Sequence, residues 1–238
     1  MKNFLLSLLS PSDLKRLEPH LKPMRFEQHH ALFEADQQIR HVYFPTSAVV
    51  SLVTALSTGE SIEVAMIGRD GVVGASAALD GKMSLSRGII QLGGEMVVCD
   101  IEALKSAALQ SPQLLALLIR HEQTVYAQAQ QSAACFATHQ VIARLSRWLL
   151  RARDLSGSDI LSFTQEYLAE MLGVRRTSVT VVAHTLQAAG LIKYARGRIQ
   201  ILNTEGLEDS ACECYGTVKA QYAKLIGETG ARYAAGDF

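Results

Sequence analysis

The chain has 238 residues, 48% of them hydrophobic and 19% charged, enough apolar matter for one large domain or two small ones and too much for a disordered chain. Its formal net charge of zero is unevenly spread: residues 139–203 hold nine Lys/Arg against four Asp/Glu, residues 1–138 hold 11 against 13, and residues 204–238 hold three against six. Four cysteines (Cys99, Cys135, Cys212, Cys214) without a C-x-x-C pair argue against a disulfide framework or a zinc ribbon.

The opening MKNFLLSLLSPSD has one lysine and a short apolar run, but no small-residue cleavage site before Pro11-Ser12-Asp13. It reads as a helix, Phe4 to about Leu21, that docks on its own domain. No uninterrupted apolar span of ~20 residues follows, so the expected place is the cytoplasm, with no membrane partner.

The period then changes. Val42–Phe44, Val49–Ala55, Ser61–Ile67, Arg87–Leu92 and Glu95–Asp100 are short runs rich in β-branched and aromatic residues. Ile62, Val64 and Met66 alternate with Ser61, Glu63 and Ala65, as a half-buried strand requires. Turn signals at Thr58-Gly59, Asp70-Gly71, Asp80-Gly81 and Gly93-Gly94 suit antiparallel hairpins closing into a sandwich or roll.

Helical spacing resumes at Ile101–Ala108. From Pro112, Leu114, Leu118, His121, Val125, Gln128, Ser132 and Cys135 recur at alternating intervals of four and three, which predicts a dimer seam along a spine helix. Thr138 is expected to cap the next helix, His139 to about Asp154. On it Ile142, Leu145 and Leu149 form the apolar side, and Arg144, Arg147 and Arg151 a face suited to phosphate.

Thr164 can cap a short helix, Gln165–Leu172, with Glu166 favourably placed in its first turn. Gly173 breaks it, and a second helix runs from about Arg176 to Ala189, with Val179, Val182, Leu186 and Ala189 on one stripe. Arg176, Thr177, Thr180, His184 and Gln187 face the other way. Gly190 ends it, and Ile192–Tyr194 and Ile199–Leu202 flank a basic turn, Ala195-Arg196-Gly197-Arg198. Helix, turn, helix and basic hairpin together predict a winged helix that lies on DNA. A final helix should carry Leu207, Ala211, Cys214, Val218, Tyr222 and Leu225 inward, and Gly230–Phe238 should fray. Within such a helix Cys212 and Cys214 would diverge by ~200°, so no shared metal is expected.

Thr164-Gln165-Glu166, Leu168-Ala169, Leu172-Gly173-Val174, Arg176 and Val179, then Leu186 and Gly190-Leu191-Ile192, resemble the DNA-binding domain of the Crp/Fnr family of bacterial transcription regulators. The likeness extends over most of the chain. It implies an α+β protein: a double-stranded, jelly-roll-like β-roll sensor (residues 1–110), a long dimerisation helix (111–137), and a winged helix-turn-helix with a C-terminal helix (138–238). It also implies a homodimer on an inverted-repeat operator in double-stranded DNA, with RNA polymerase as a further partner. The expected DNA-binding set is Thr164, Arg175, Arg176, Thr177, Ser178, Thr180, Val181, Arg196 and Arg198. Arg176 occupies the position of an arginine that reads guanine, Thr177 one where many members carry Glu, and Val181 one where cyclic-AMP-responsive members carry a second Arg. Arg175, Arg196 and Arg198 are expected to touch phosphate.

The family's nucleotide cassette places Gly-Glu before a later Arg-Ser or Arg-Thr. Here Gly71-Val72-Val73-Gly74 puts valine where the ribose-binding Glu belongs, and Arg87 is followed by Gly88. A valine accepts no hydrogen bond, so neither cyclic AMP nor cyclic GMP is expected, and no cofactor; the effector is unknown. The iron–sulfur branch needs cysteines near the N-terminus, and none precedes Cys99. The rival class is a cupin-like metalloenzyme using His29, His30 and Glu34. Adjacent histidines on a strand point to opposite faces, and no nucleophile elbow or phosphate loop appears, so the chain reads as no enzyme. A winged-helix protein acting only through protein contacts is the third reading.

Overall fold

The computed structural model describes residues 3–81 and 83–227, so the expected fraying of Gly230–Phe238 lies outside the described residues. The first helix is divided. α1 (Phe4–Ser7) stops, and Ser10 caps α2 (Pro11–Leu17) by accepting from Asp13 N–H, with Pro11 in the first turn; Ser-Pro is a start signal that overrides the apolar spacing.

The strands are β1 (Lys22–Phe26), β2 (Ala31–Phe33), β3 (His41–Pro45), β4 (Val49–Ala55), β5 (Ser61–Ile67), β6 (Arg87–Leu92) and β7 (Gly94–Asp100). They form two antiparallel sheets, β1-β7-β3 and β2-β6-β4-β5, a β-roll. Two strands lie outside the sequence expectation, for physical reasons. β1 is an edge strand, exposed along nearly all its length and carrying Pro23, so it has no apolar period. β2 is only three residues long.

Val42, Phe44, Val50, Val72, Val73, Ile90 and Met96 fill the space between the sheets. The second sheet is also covered on its outer face. There Val49, Val53, Met66 and Ile89 join Leu145, Trp148 and Leu149 of α5 (Val141–Ser156) in one core. β5 therefore departs from simple alternation: Glu63 and Ala65 are buried while Ile62 and Val64 are half-buried. A register shift at Leu52/Val53 inserts an extra residue of β5, so Glu63 comes to the side of the sheet that carries Ser51 and Val53.

Buried polar groups cross the same contact. Arg151 Nη2 of α5 meets Asp70 Oδ2 at 2.6 Å, and Asp70 Oδ1 accepts from Gly68 N–H at 3.0 Å. Ser51 lies against the Glu63 carboxyl and 2.5 Å from Gln91 Oε1. Burial pushes the Glu63 carboxyl up to about 7, against the lowering influence of Ser51, Arg147 and Arg151.

α3 (Ile101–Gln110) leads to α4 (Pro112–Thr138), a helix of 27 residues. Thr138 belongs to α4's last turn, its hydroxyl donating to Ala134 C=O, and Gln140 is the N-cap of α5, so the expected cap at Thr138 is corrected. The expected dimer seam is corrected too. Leu114, Leu118, His121, Gln128, Ser132 and Cys135 are buried within the chain, Val125 is half-buried, and this face of α4 lies against β5 and α9 (Cys214–Ile226). The final helix is two helices, α8 (Thr204–Asp209) and α9, with Cys212 in the connection between them. Leu207, Cys214, Val218 and Tyr222 are buried as expected, but Ile226 replaces Leu225 and Cys212 replaces Ala211.

Candidate nucleic-acid interface

The helix-turn-helix forms as its capping residues dictate. Thr164 Oγ1 accepts from Tyr167 N–H at 3.1 Å and opens α6 (Gln165–Leu172). Gly173 takes the left-handed conformation (φ 59°) that ends α6, and Val174 N–H closes back on Ala169 C=O at 2.9 Å. A side chain at Gly173 would also press on Ile62 of β5. α7 (Arg176–Ala188) follows, burying Val179, Ala183 and Leu186; Ala183 takes the place expected for Ala189, which is exposed.

Arg176, Thr177, Thr180, Val181, His184 and Gln187 all face outward, as α7's polar stripe requires, and Val181 is 66% exposed. Ser178 is half-buried. Two of these groups already have partners on α6: Arg176 Nη1 lies 2.9 Å from Glu166 Oε1, and Thr180 Oγ1 donates to Gln165 Oε1 at 2.6 Å. The Arg176–Glu166 pair is well exposed on both sides, so it holds the guanidinium with little energy and can release it.

β9 (Ile192–Ala195) and β10 (Arg198–Ile201) pair antiparallel, with β8 (Ile160–Ser162) on β10's other side. β8 is too short to show a period. The hairpin loop is Arg196-Gly197, both at positive φ (51° and 75°), the handedness a two-residue hairpin needs. Gln187 Oε1 accepts from Tyr194 N–H at 2.7 Å and ties α7 to the wing. Arg175, Arg196 and Arg198 are exposed. Thr164 is exposed as well, beside Gly197 at the wing tip. Lys193, absent from the expected set, is also exposed; its alternation with Ile192 and Tyr194 is the signal that places it outward.

The arginine face expected on α5 is corrected. Arg144 donates to Leu172 C=O and lies over the Phe136 ring at 4.5 Å, Arg147 is buried, and Arg151 is taken by Asp70. These three face protein. The spacing i, i+3, i+7 marks a shared face without saying what covers it. Arg153 is held by Asp159 at 2.6 Å. Of the nine Lys/Arg in residues 139–203, those left exposed are Arg175, Arg176, Lys193, Arg196 and Arg198, carried by α7's start and the wing.

In the roll, Gly71 is packed against His121, and Val72 is wholly buried, donating its N–H to His121 Nε2 at 3.2 Å. Gly74 has φ 86°, and Arg87 pairs with Glu34 at 3.1 Å. His29, His30 and Glu34 have different neighbours: His29 meets Tyr167, His30 meets Phe26, and Glu34 meets Arg87.

Residues 143–210 match the family model described as a Crp-like helix-turn-helix domain. The chain is 24% identical over 192 residues to a global nitrogen regulator of Synechococcus elongatus, covering 77% of this chain and 86% of that protein. It is 31% identical over 106 residues to the transcriptional regulator SdrP of Thermus thermophilus, covering 42% of this chain and 52% of SdrP. Among solved structures, FixK2 from Bradyrhizobium japonicum aligns with a TM-score of 0.69 at 15% identity, over 81% of this chain and 98% of the other. A CRP-family transcriptional regulator from Thermus thermophilus aligns at 0.65 and 23%, over 79% and 96%.

Proposed function

We propose that this chain, a Crp/Fnr-family transcription regulator by its helix-turn-helix domain and its relatives, binds an inverted-repeat operator in double-stranded DNA as a homodimer. The carrying observation is the exposed positive charge of Arg175, Arg176, Lys193, Arg196 and Arg198, brought by α7's start and the wing. α7's amino-terminal end enters the major groove, where Arg176 can bond guanine O6 and N7 together. Thr177, Thr180 and Val181 meet neighbouring base edges. Arg175, Arg196 and Arg198, with Thr164 and Ser178 at the edge of the face, set position on the phosphates. Residues 138–238 are the reading part, 111–137 the dimerisation helix, and 1–110 a sensor. RNA polymerase is the further partner this reading implies, the cytoplasm its place, and it requires no enzymatic activity.

One feature supports a sensor that takes no cyclic nucleotide: Val72, where the resemblance calls for a ribose-binding carboxylate, is an apolar side chain wholly buried in the core. The test is operator selection from random duplexes, followed by binding across a salt series with and without cyclic AMP or cyclic GMP. Arg176→Ala should weaken the selected site by about 10- to 100-fold and relax preference at one base pair per half-site. Arg198→Ala should weaken all sequences alike and flatten the salt slope by about one. Neither nucleotide should change the affinity. An unchanged Arg176→Ala would show that α7 is not the reading helix.

The dimer's supporting surface is the side of α4 away from β5 and α9. Ile119, Gln123, Tyr126, Gln130, Ala133 and Ala137 are exposed there, at alternating intervals of four and three. Ile119 and Tyr126 are 45% and 66% exposed. Ile119→Asp with Tyr126→Asp should yield a folded monomer in sedimentation, whereas Leu118→Asp, inside the core, should unfold the chain. A double variant that still sediments as a dimer would remove this seam from the proposal.

A further inference from the structure

Away from the reading face, four side chains from distant stretches converge where α4 ends. Cys135 and His139 stand four residues apart at α4's last turn and C-cap, so they project from one side of it. Cys212 lies in the connection after α8, and Cys214 is the first residue of α9. Because Cys212 is outside the helix, the expected divergence of the two thiols does not arise. The four ligand atoms all lie within 4.8 Å of one another. Cys135 Sγ is 3.5 Å from Cys212 Sγ, and Cys214 Sγ is 3.6 Å from His139 Nδ1. The three cysteines are buried and His139 is half-buried.

We propose that Cys135, His139, Cys212 and Cys214 bind one tetrahedral divalent ion of the zinc class. Thiolate and imidazole are the donors such an ion prefers, and Zn–S bonds of ~2.3 Å put tetrahedral ligand atoms ~3.8 Å apart. The two short separations already match that edge, and the widest needs to close by only about an ångström. An iron–sulfur cluster has to seat its inorganic core among the ligands and needs wider spacing.

The surroundings are those of a metal site. With Nδ1 on the ion, His139 Nε2–H donates to Glu213 Oε2, 3.2 Å away, the carboxylate that fixes the ring and strengthens it as a ligand. Gln131 Nε2 donates to Cys214 Sγ at 3.0 Å. Three thiolates around a divalent ion leave net negative charge. Arg144, buried over the ring of Phe136 at 4.5 Å, brings positive charge beside the residue that follows Cys135. Binding displaces the thiol protons and holds α4's end, the start of the step to α5, and the turn into α9 together.

The test uses the full chain, purified reduced and metal-free, titrated anaerobically with Zn²⁺ and with Co²⁺. About one equivalent of zinc should bind per chain, with proton release. One equivalent of cobalt should give the visible bands of a tetrahedral site with thiolate-to-metal charge transfer, bleached by zinc. Cys212→Ser and His139→Asn should each weaken zinc at least tenfold, while Cys99→Ser, in the roll, should leave it unchanged. Glu213→Gln, on a well-exposed side chain, should retain the fold and still weaken zinc by about tenfold, which keeps the test valid if a cysteine variant misfolds. Sub-stoichiometric binding, an octahedral cobalt spectrum, or a Cys135–Cys212 disulfide in place of metal in the freshly purified chain would each overturn the proposal.

Discussion

Asp70→Ala is expected to destabilise the protein by roughly 3 kcal/mol, because the Arg151 side chain, only 12% exposed, loses its carboxylate. Asp70 sits in the loop after β5, wholly enclosed, with Arg151 Nη2 at 2.6 Å, the Gly68 amide at 3.0 Å, and the Tyr222 hydroxyl donating to its carbonyl. One residue thus joins the roll to α5 and α9. Asp70→Asn keeps the shape and loses the charge, so it should fall between wild type and alanine. Adding Arg151→Met to Asp70→Ala should recover part of the loss, since the stranded cation is then gone. Urea unfolding of the four proteins decides the matter. A single alanine variant within about 1 kcal/mol of wild type would mean that the pair contributes nothing net.

Glu63→Gln is expected to stabilise the protein above neutral pH and to change it little in acid. An unfolded chain releases the Glu63 proton near 4.5, whereas burial holds it in the folded protein until about 7. Between those values the folded state keeps a proton that the unfolded state has lost. The stabilisation is therefore complete below pH 4.5 and disappears as pH rises through 7. A displacement of that size corresponds to about 3 kcal/mol. The glutamine carries no charge to bury and should erase this slope. Urea midpoints for wild type and variant at pH 5 and pH 8 give the comparison. A difference that is the same at both values would show that Glu63 does not titrate in this window.

The helix-turn-helix and its wing were the most legible part of the sequence because their signals are local. A capping threonine, a glycine that must be left-handed, one apolar stripe and a two-residue basic loop each act within a few residues, and α6, α7 and the wing follow them closely. The errors concern which neighbour covers a face. α4 carries two stripes of the same heptad spacing; the more apolar one, Leu114 to Cys135, is used inside the chain, and the weaker one is exposed. The α5 arginines repeat the lesson, since periodicity gathers them on one side and only the fold places that side against β5 and α6. At β5 a bulge reverses the parity of the strand, which no period-two pattern shows in advance. The cysteine pair depended on a single boundary. Moving Cys212 out of a helix changes its direction altogether.

The return of α9 along α4 also sets an order of events during synthesis. Tyr222 reaches the carbonyl of Asp70, 152 residues earlier, and α9 covers the α4 face that carries His121 and Gln128. A ribosome delivers the roll and α4 first, and at ~5–20 residues per second the covering helix follows only several seconds later. Through that interval the nascent chain holds the roll's strands and α4 with part of α4's inner face still uncovered. Non-local closure of this kind is slow to form, so the period of greatest exposure to proteases and chaperones falls before α9 emerges.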